Sequence, residues 1–156
     1  MEMPVVGAAH EALAALVGDW SGTEDLAAAP WAPAATATAT CSYRRALDGF
    51  AVLEDYVQTR EDGTRMLGHH VFTVDPATGD TLWFGFDSYG FPPSAPARGG
   101  WRDGTLHLEK HTERGVAAHR ITPEGDVLTH EIDVRLGADE DFRPFLRAHY
   151  SRSARD

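Results

Sequence analysis

At 156 residues the chain has room for one domain with a core of its own, and a composition of 42% hydrophobic and 24% charged residues is that of a globular protein. Its formal net charge of −10 excludes a nucleic-acid backbone as partner and argues against an anionic membrane surface. The one cysteine, Cys41, rules out an intramolecular disulfide and fits a reducing compartment.

The N-terminus "MEMPVVGAAH" has no basic region and no long apolar run, so it does not read as a secretory signal. No segment is long and apolar enough to span a bilayer as a helix. The expectation is a cytoplasmic protein made of a single domain over residues 1–156. One helix comes first: "AAHEALAALVG" places Leu13, Leu16 and Val17 on one side, with Ala9 near them, and Gly18 as a stop.

After Gly18 the pattern changes to period two. It predicts strands over 19–26, 35–43, 50–59, 65–74, 81–87, 95–101, 105–111, 115–122, 127–136 and 145–152. Turn sequences such as "LDGF", "REDGT", "DPATGD", "RDGT" and "TPEGD" separate most of them, so neighbours are expected to pair antiparallel. About ten short strands after one helix allow a sandwich or a barrel. Hairpin-sized connections favour an all-β antiparallel meander barrel, and closure removes exposed edges. The helix would plug one mouth.

"GDWSG" sets Trp20 at the start of the first strand with glycines on either side. In the last strand Arg147 is the side chain expected to stack on it. A Gly-x-Trp strand closed by a terminal arginine resembles the calycin superfamily, the lipocalins and fatty-acid-binding proteins. Longer segments carry a further resemblance: "LVGDWSG", "LDGFAVLEDYVQ", "GHHVFTVDPATGDTLWFGFDSYGFPP", "ARGGW" and "FRPFLRAHYSR". Together, over residues 10–152, they look like a bacterial family of lipocalin-like single-domain proteins of unknown function. That resemblance implies a fold and no particular activity.

The candidate site residues come from polar groups on apolar faces and from aromatic strands. "ATATATCSY" is small on both faces, leaving space for either a cavity or the packed helix. Glu54 and Tyr56 share a face with Phe50 and Val52, His70 with Met66, Phe72 and Val74, and His130 with Leu128, Ile132 and Val134. His119, with Ala117 and Ile121, is a third histidine of this kind. Such groups must be paired or meet a ligand. In "TLWFGFDSYGF", Phe84 and Phe86 share one face, and Trp83 and Asp87 the other. The segment "DSYGFPPSAPARGG" reads as a portal loop carrying Tyr89 and Phe91.

In "HLEKH", His107, Glu109 and His111 share one face, which suits a metal. The alternating Leu106 and Leu108 hold the stronger claim on the interior, so the three are expected to face solvent, with Lys110 near the rim. No metal and no cofactor are expected. Haem-binding nitrobindins also begin with a Gly-x-Trp strand, but the rest of their pattern is not evident. The chain has no phosphate loop and no nucleophile elbow.

The expected function is binding of a small, largely apolar ligand in the barrel. The wall would draw on Tyr56, Trp83, Phe84 and Phe86, with Glu54, His70, Asp87 or His130 as polar anchors. The alternative is a cofactor-free acid–base enzyme of isomerase or cyclase type using the same cavity, its base one of His70, His119 and His130, and Glu54 or Asp87 the partner. The only other partner left open is a second copy of the chain, in a homodimer. A histidine and a carboxylate sharing the interior is what would favour the enzyme.

Overall fold

The computed structural model describes residues 1–138 and 140–153; Asp139 and residues 154–156 of the expected domain lie outside the described residues. Ten strands come after a short helix: β1 (Gly18–Leu26), β2 (Ala35–Ala46), β3 (Ala51–Arg60), β4 (Arg65–Val74), β5 (Thr81–Asp87), β6 (Ala97–Arg102), β7 (Thr105–Thr112), β8 (Gly115–Glu124), β9 (Val127–Arg135) and β10 (Arg143–Arg152). Each pairs antiparallel with its neighbour in sequence, and β1 pairs with β10, so one continuous ladder closes into a barrel. The meander holds and the sandwich does not. No helix among the described residues is long and apolar enough to cross a membrane.

The helix is shorter than the apolar spacing predicts. Residues Ala8–Ala12 (α1) are α-helical, Leu13–Leu16 form a tighter 3-10 turn, and Val17 is already extended. Two side chains take the carbonyls at this point. The Trp20 indole N–H donates to the Leu16 carbonyl at 2.9 Å, and the Arg152 guanidinium donates to the Val17 carbonyl at 2.7 Å. Leu13 and Leu16 are buried, as expected. Glu11 pairs with Arg45 at 3.0 Å, and His10 lies edge-on to Phe50. These contacts fasten the helix beside the β2–β3 turn, where it forms the floor of the barrel.

At the opposite end lie the longer connections: residues 27–34, 88–96 and 136–142. This mouth carries exposed Trp31, Leu67, Phe86, Tyr89, Phe91 and Phe142.

The clamp on Trp20 differs from the one read in the sequence. Arg152, not Arg147, lies over the indole, 4.2 Å from its centroid. The register explains why: Trp20 stands opposite Arg152, whereas Arg147 stands opposite Asp25 on the outer face and pairs with Asp133 at 2.7 Å. Gly18 has φ +144°, and a Cβ there would collide with the Arg152 guanidinium. The glycine beside Trp20 is therefore what lets the arginine approach.

One seam is short. β5 and β6 share only the pairs Thr81↔Gly99, Leu82↔Arg98 and Trp83↔Ala97. Beyond Trp83, β5 runs on to Asp87 and β7 on to Thr112 without β6 between them. The 88–96 loop spans this notch in the wall. It is fastened on one side by Arg114, whose guanidinium lies 5.0 Å over the Phe91 ring.

Replacing Trp20 with Ala is expected to cost about 3–5 kcal/mol, as truncation of a buried aromatic does. Arg152→Ala should cost less and Arg147→Ala less still, since Arg147 touches only the outer face. Urea unfolding of the three variants checks the order. Equal losses for the two arginines would contradict the register.

Candidate functional site

Alternation along the strands fixes which side chains reach the axis. On the β1–β2–β3 side the space beside Ala37, Ala39 and Cys41 is taken by a hydrogen-bonded cluster. Glu24 accepts from the Tyr56 hydroxyl at 2.6 Å, from the Gln58 amide at 2.8 Å and from the Tyr150 hydroxyl. All four side chains are buried. The helix thus sits at the floor, and the small-residue strand packs against phenols. Burial pushes the Tyr56 and Tyr150 hydroxyls and the Cys41 thiol upward, so all three stay protonated. Cys41 is inert packing, not a nucleophile.

Facing this cluster is a belt of aromatic and titratable groups. Glu54 of β3 and His70 of β4 are cross-strand partners, with Glu54 Oε1 2.6 Å from His70 Nδ1. The ring of His70 lies 4.8 Å from that of Trp83, which lies 4.7 Å from that of His119. His119 Nδ1 is in turn 2.9 Å from His130 Nε2. Gly68 and Gly85 flank His70: a Cβ on either would come within 3.0–3.2 Å of the imidazole. The two glycines give the ring its place.

The electrostatics derive from burial and pairing. Burial raises the Glu54 carboxyl, but the hydrogen bond and charge of His70, together with the Tyr43 hydroxyl, outweigh it and hold Glu54 below the usual carboxylate range. An ionised carboxylate only accepts, so His70 Nδ1–H donates to it. His70 Nε2 has no partner among the described residues. Burial also drives His119 well below its ordinary value and His130 down to about 4, so both imidazoles are neutral near pH 7.

The belt is not sealed from water. Met66, His70, Ala117, His130 and Ile132 face the axis yet are only half-buried. The His70 side chain is 15% exposed, against 6% for Glu54. A cleft of about 240 Å³ opens at the mouth between Trp31, Arg60, Met66 and Tyr89. A second, of about 630 Å³, lies on the outer wall, bounded by Arg98, Gly100, Arg102, His107 and Arg120.

Of the site residues read from the sequence, Glu54, Tyr56, His70, Trp83 and His130 do face the interior. Phe84 and Phe86 do not. Trp83 takes the inner face of β5, so both phenylalanines alternate outward, where Val71 and His69 are their cross-strand neighbours, and Phe86 is 51% exposed. Asp87 shares the Trp83 face but ends its strand at the rim, exposed, accepting from the Tyr89 backbone N–H at 3.0 Å. It is no carboxylate of the interior. "HLEKH" lies as expected: Leu106 and Leu108 are buried, while Glu109 and His111 are 53% and 65% exposed. Among the described residues no group of three or more His, Cys, Asp or Glu side chains is arranged to hold a metal.

Two participants escaped the sequence reading. Glu24 shares its face with Trp20, and that phase was the available signal. Lys110 turns inward, its ammonium 5.6 Å over the Trp83 ring. Its alternation with Leu106 and Leu108 already said so.

A closed ten-strand antiparallel meander, with a Gly-x-Trp on its first strand and an arginine from its last over the indole, defines a calycin-like β-barrel. Within that class the chain belongs to the DUF1579 family of proteins of unknown function, whose profile matches residues 6–90. Among solved structures it is similar to Rv2717c from M. tuberculosis, with a TM-score of 0.72 and 15% identity over 96% of this chain and 100% of that one. It is similar also to the S-type phycobiliprotein lyase CPES from Guillardia theta, with a TM-score of 0.68 and 12% identity over 94% and 93% of the two chains. At these identities the likeness is one of fold. No curated protein matches the chain significantly.

Stability is expected to fall on mild acidification. Between the ordinary imidazole value of 6.5 and about 4, the unfolded chain protonates His130 and the folded chain does not. The stability from burying the neutral ring is complete above pH 6.5 and is lost as pH falls. From pH 7 to pH 5 His130 alone should cost roughly 2 kcal/mol, with His119 acting in the same direction. Glu54 acts in another window: its contribution is present above the ordinary 4.5 and is lost only below it. Urea unfolding at the two pH values measures the loss, and a His119→Phe, His130→Leu double variant should flatten it. An unchanged midpoint in the wild type would mean that these imidazoles are not held neutral.

Proposed function

We propose that the protein binds a small, largely apolar molecule inside the barrel, admitted at the mouth and the notch between β5 and β7. The observation that carries this is the Glu54–His70 pair. An imidazole faces the axis, is fixed by a buried carboxylate, and keeps a ring nitrogen free where solvent reaches. A few polar anchors in a mainly apolar wall are what such pockets require. Tyr56 and Trp83 supply aromatic wall, Met66 and Ile132 apolar sides, and His130 a second anchor. A phycobiliprotein lyase shares the fold, which supports a barrel of this kind as a place for a small molecule. In this reading the chain is one lipocalin-like domain of a bacterial cytoplasm, where its lone buried cysteine stays reduced.

A second reading is favoured by the same pair. A carboxylate that orients an imidazole through Nδ1 leaves Nε2 as a general base. That arrangement suits cofactor-free proton transfer on a bound metabolite, with His70 as base and Glu54 as its orienting partner. The two readings share a site and differ only in whether a proton moves once the molecule is bound.

The test uses phenylnaphthylamine, a neutral apolar fluorophore. The wild type should bind it in the micromolar range with enhanced emission. Ala117 is half-buried on the inner face opposite Lys110, so Ala117→Phe should crowd the proposed site and weaken binding by about tenfold or more. A wild type that binds no such probe overturns the reading. Once a natural ligand is identified from protein purified out of its host, loss of turnover but not of binding in His70→Ala decides for the enzyme.

A further inference from the structure

Lys110 is the chain's one lysine. It stands in the notch, on the stretch of β7 that lacks a β6 neighbour. A lysine near a barrel rim ordinarily sends its ammonium out to water. This one follows buried Leu106 and Leu108 onto the inner face and sets its charge over the Trp83 indole. His70 and His119 abut the same indole ring.

The ammonium has no ion-pair partner among the described residues. Five arginines, Arg44, Arg45, Arg98, Arg120 and Arg147, are each matched to a carboxylate within 3.0 Å, while Arg114 and Arg135 lie over the Phe91 and Phe142 rings at the mouth; what sets Lys110 apart is that its charge lies on the inner face of the wall. The carboxylate nearest the belt, Glu54, is committed to His70, and Asp87 at the rim is engaged by its own turn. An inward cation, half-buried and without a counter-charge, thus sits where the wall is open, in a protein of net charge −10.

We propose that the ligand of this barrel is an organic acid, its anionic head seated in the notch on the Lys110 ammonium and within reach of the His70 imidazole. The inference rests on the interior-binding reading above and adds its substrate class. The head group replaces the missing counter-charge. The apolar body lies against Trp83 and extends along Met66 and Ile132 toward the mouth. A head that met only the exterior would be turned away by the negative surface, so the notch is the attractive point.

Anilinonaphthalene sulfonate and phenylnaphthylamine share a ring skeleton and differ by one negative charge. Titrated side by side, the sulfonate should bind the wild type about tenfold tighter or better, the weight of a charge-assisted contact. Lys110→Met should abolish that advantage and leave the neutral probe unaffected, while Lys110→Arg should keep most of it. Thermal melts of both variants show whether the fold is intact. If both probes bind equally and Lys110→Met changes neither, the acid is wrong though the cavity stands. If neither probe binds the wild type, the interior-binding reading itself fails. If the sulfonate survives Lys110→Met but is lost in Arg102→Ser, it occupies the outer arginine cleft and the proposal is overturned.

Discussion

The barrel is held shut by one buried carboxylate. Glu24 lies on the first strand, and its donors come from the third strand and from the last, 126 residues away along the chain. A buried carboxyl group left without hydrogen-bond partners is costly, and removing one of its donors leaves a buried acceptor unsatisfied, at about 1–3 kcal/mol. The three donors can be in place together only if β1 sits between β2 and β10 in one register. The same register brings Arg152 over Trp20. Closure, the floor and the clamp on the indole are therefore one constraint seen from different strands. A slip of one residue would turn Glu24 outward and Asp25 inward, with no phenol to receive it.

That cluster also divides the interior. The side it occupies is solid: small residues on β1 and β2, filled by tyrosine rings. The opposite side carries histidines, a tryptophan and a lysine, several of them half-buried, beside the short β5–β6 seam. Polar groups are plentiful on both sides, but only those of the first are closed among themselves. On the second, His70 and Lys110 each keep an unused bonding capacity in a place that water enters. On the proposed reading, stability and binding fall to different halves of one barrel.

The strands were legible because period two and glycine-bearing turns are local signals. Gly18, Trp20 and the apolar phases of β3, β4 and β9 were enough to place Glu54, His70 and His130 on inner faces. What could not be read was anything set by pairing across the chain. Whether Arg147 or Arg152 meets Trp20 depends on the stagger at which the first strand meets the last, and no local pattern encodes it. The β5 strand misled for a different reason. Phe84 and Phe86 are the more apolar pair, and apolarity alone sends them inside. The decisive partners are on the preceding strand, where buried Phe72 stands opposite Trp83 on the inner face and His70 takes the space that Gly85 leaves. The helix was overextended because its spacing is helical through Val17, while the side chains that end it, Trp20 and Arg152, lie outside its own segment.

The belt gains its character from three side chains that share the Trp83 ring: His70, His119 and Lys110. His119 is kept neutral by burial and by the neighbouring His130, and His130 chiefly by burial, so the pair offers one donor and one acceptor without net charge. His70 is held through Nδ1 by Glu54, and its Nε2 has no partner among the described residues. Lys110 places a permanent positive charge on the same inner face, over the Trp83 ring. On the proposed reading, a molecule entering the notch would meet that charge first, the indole plane next, and His70 Nε2 beyond it. Acid recognition and proton abstraction are for that reason compatible here: the head group and the reacting atom would be held by different side chains, on different strands, around one ring.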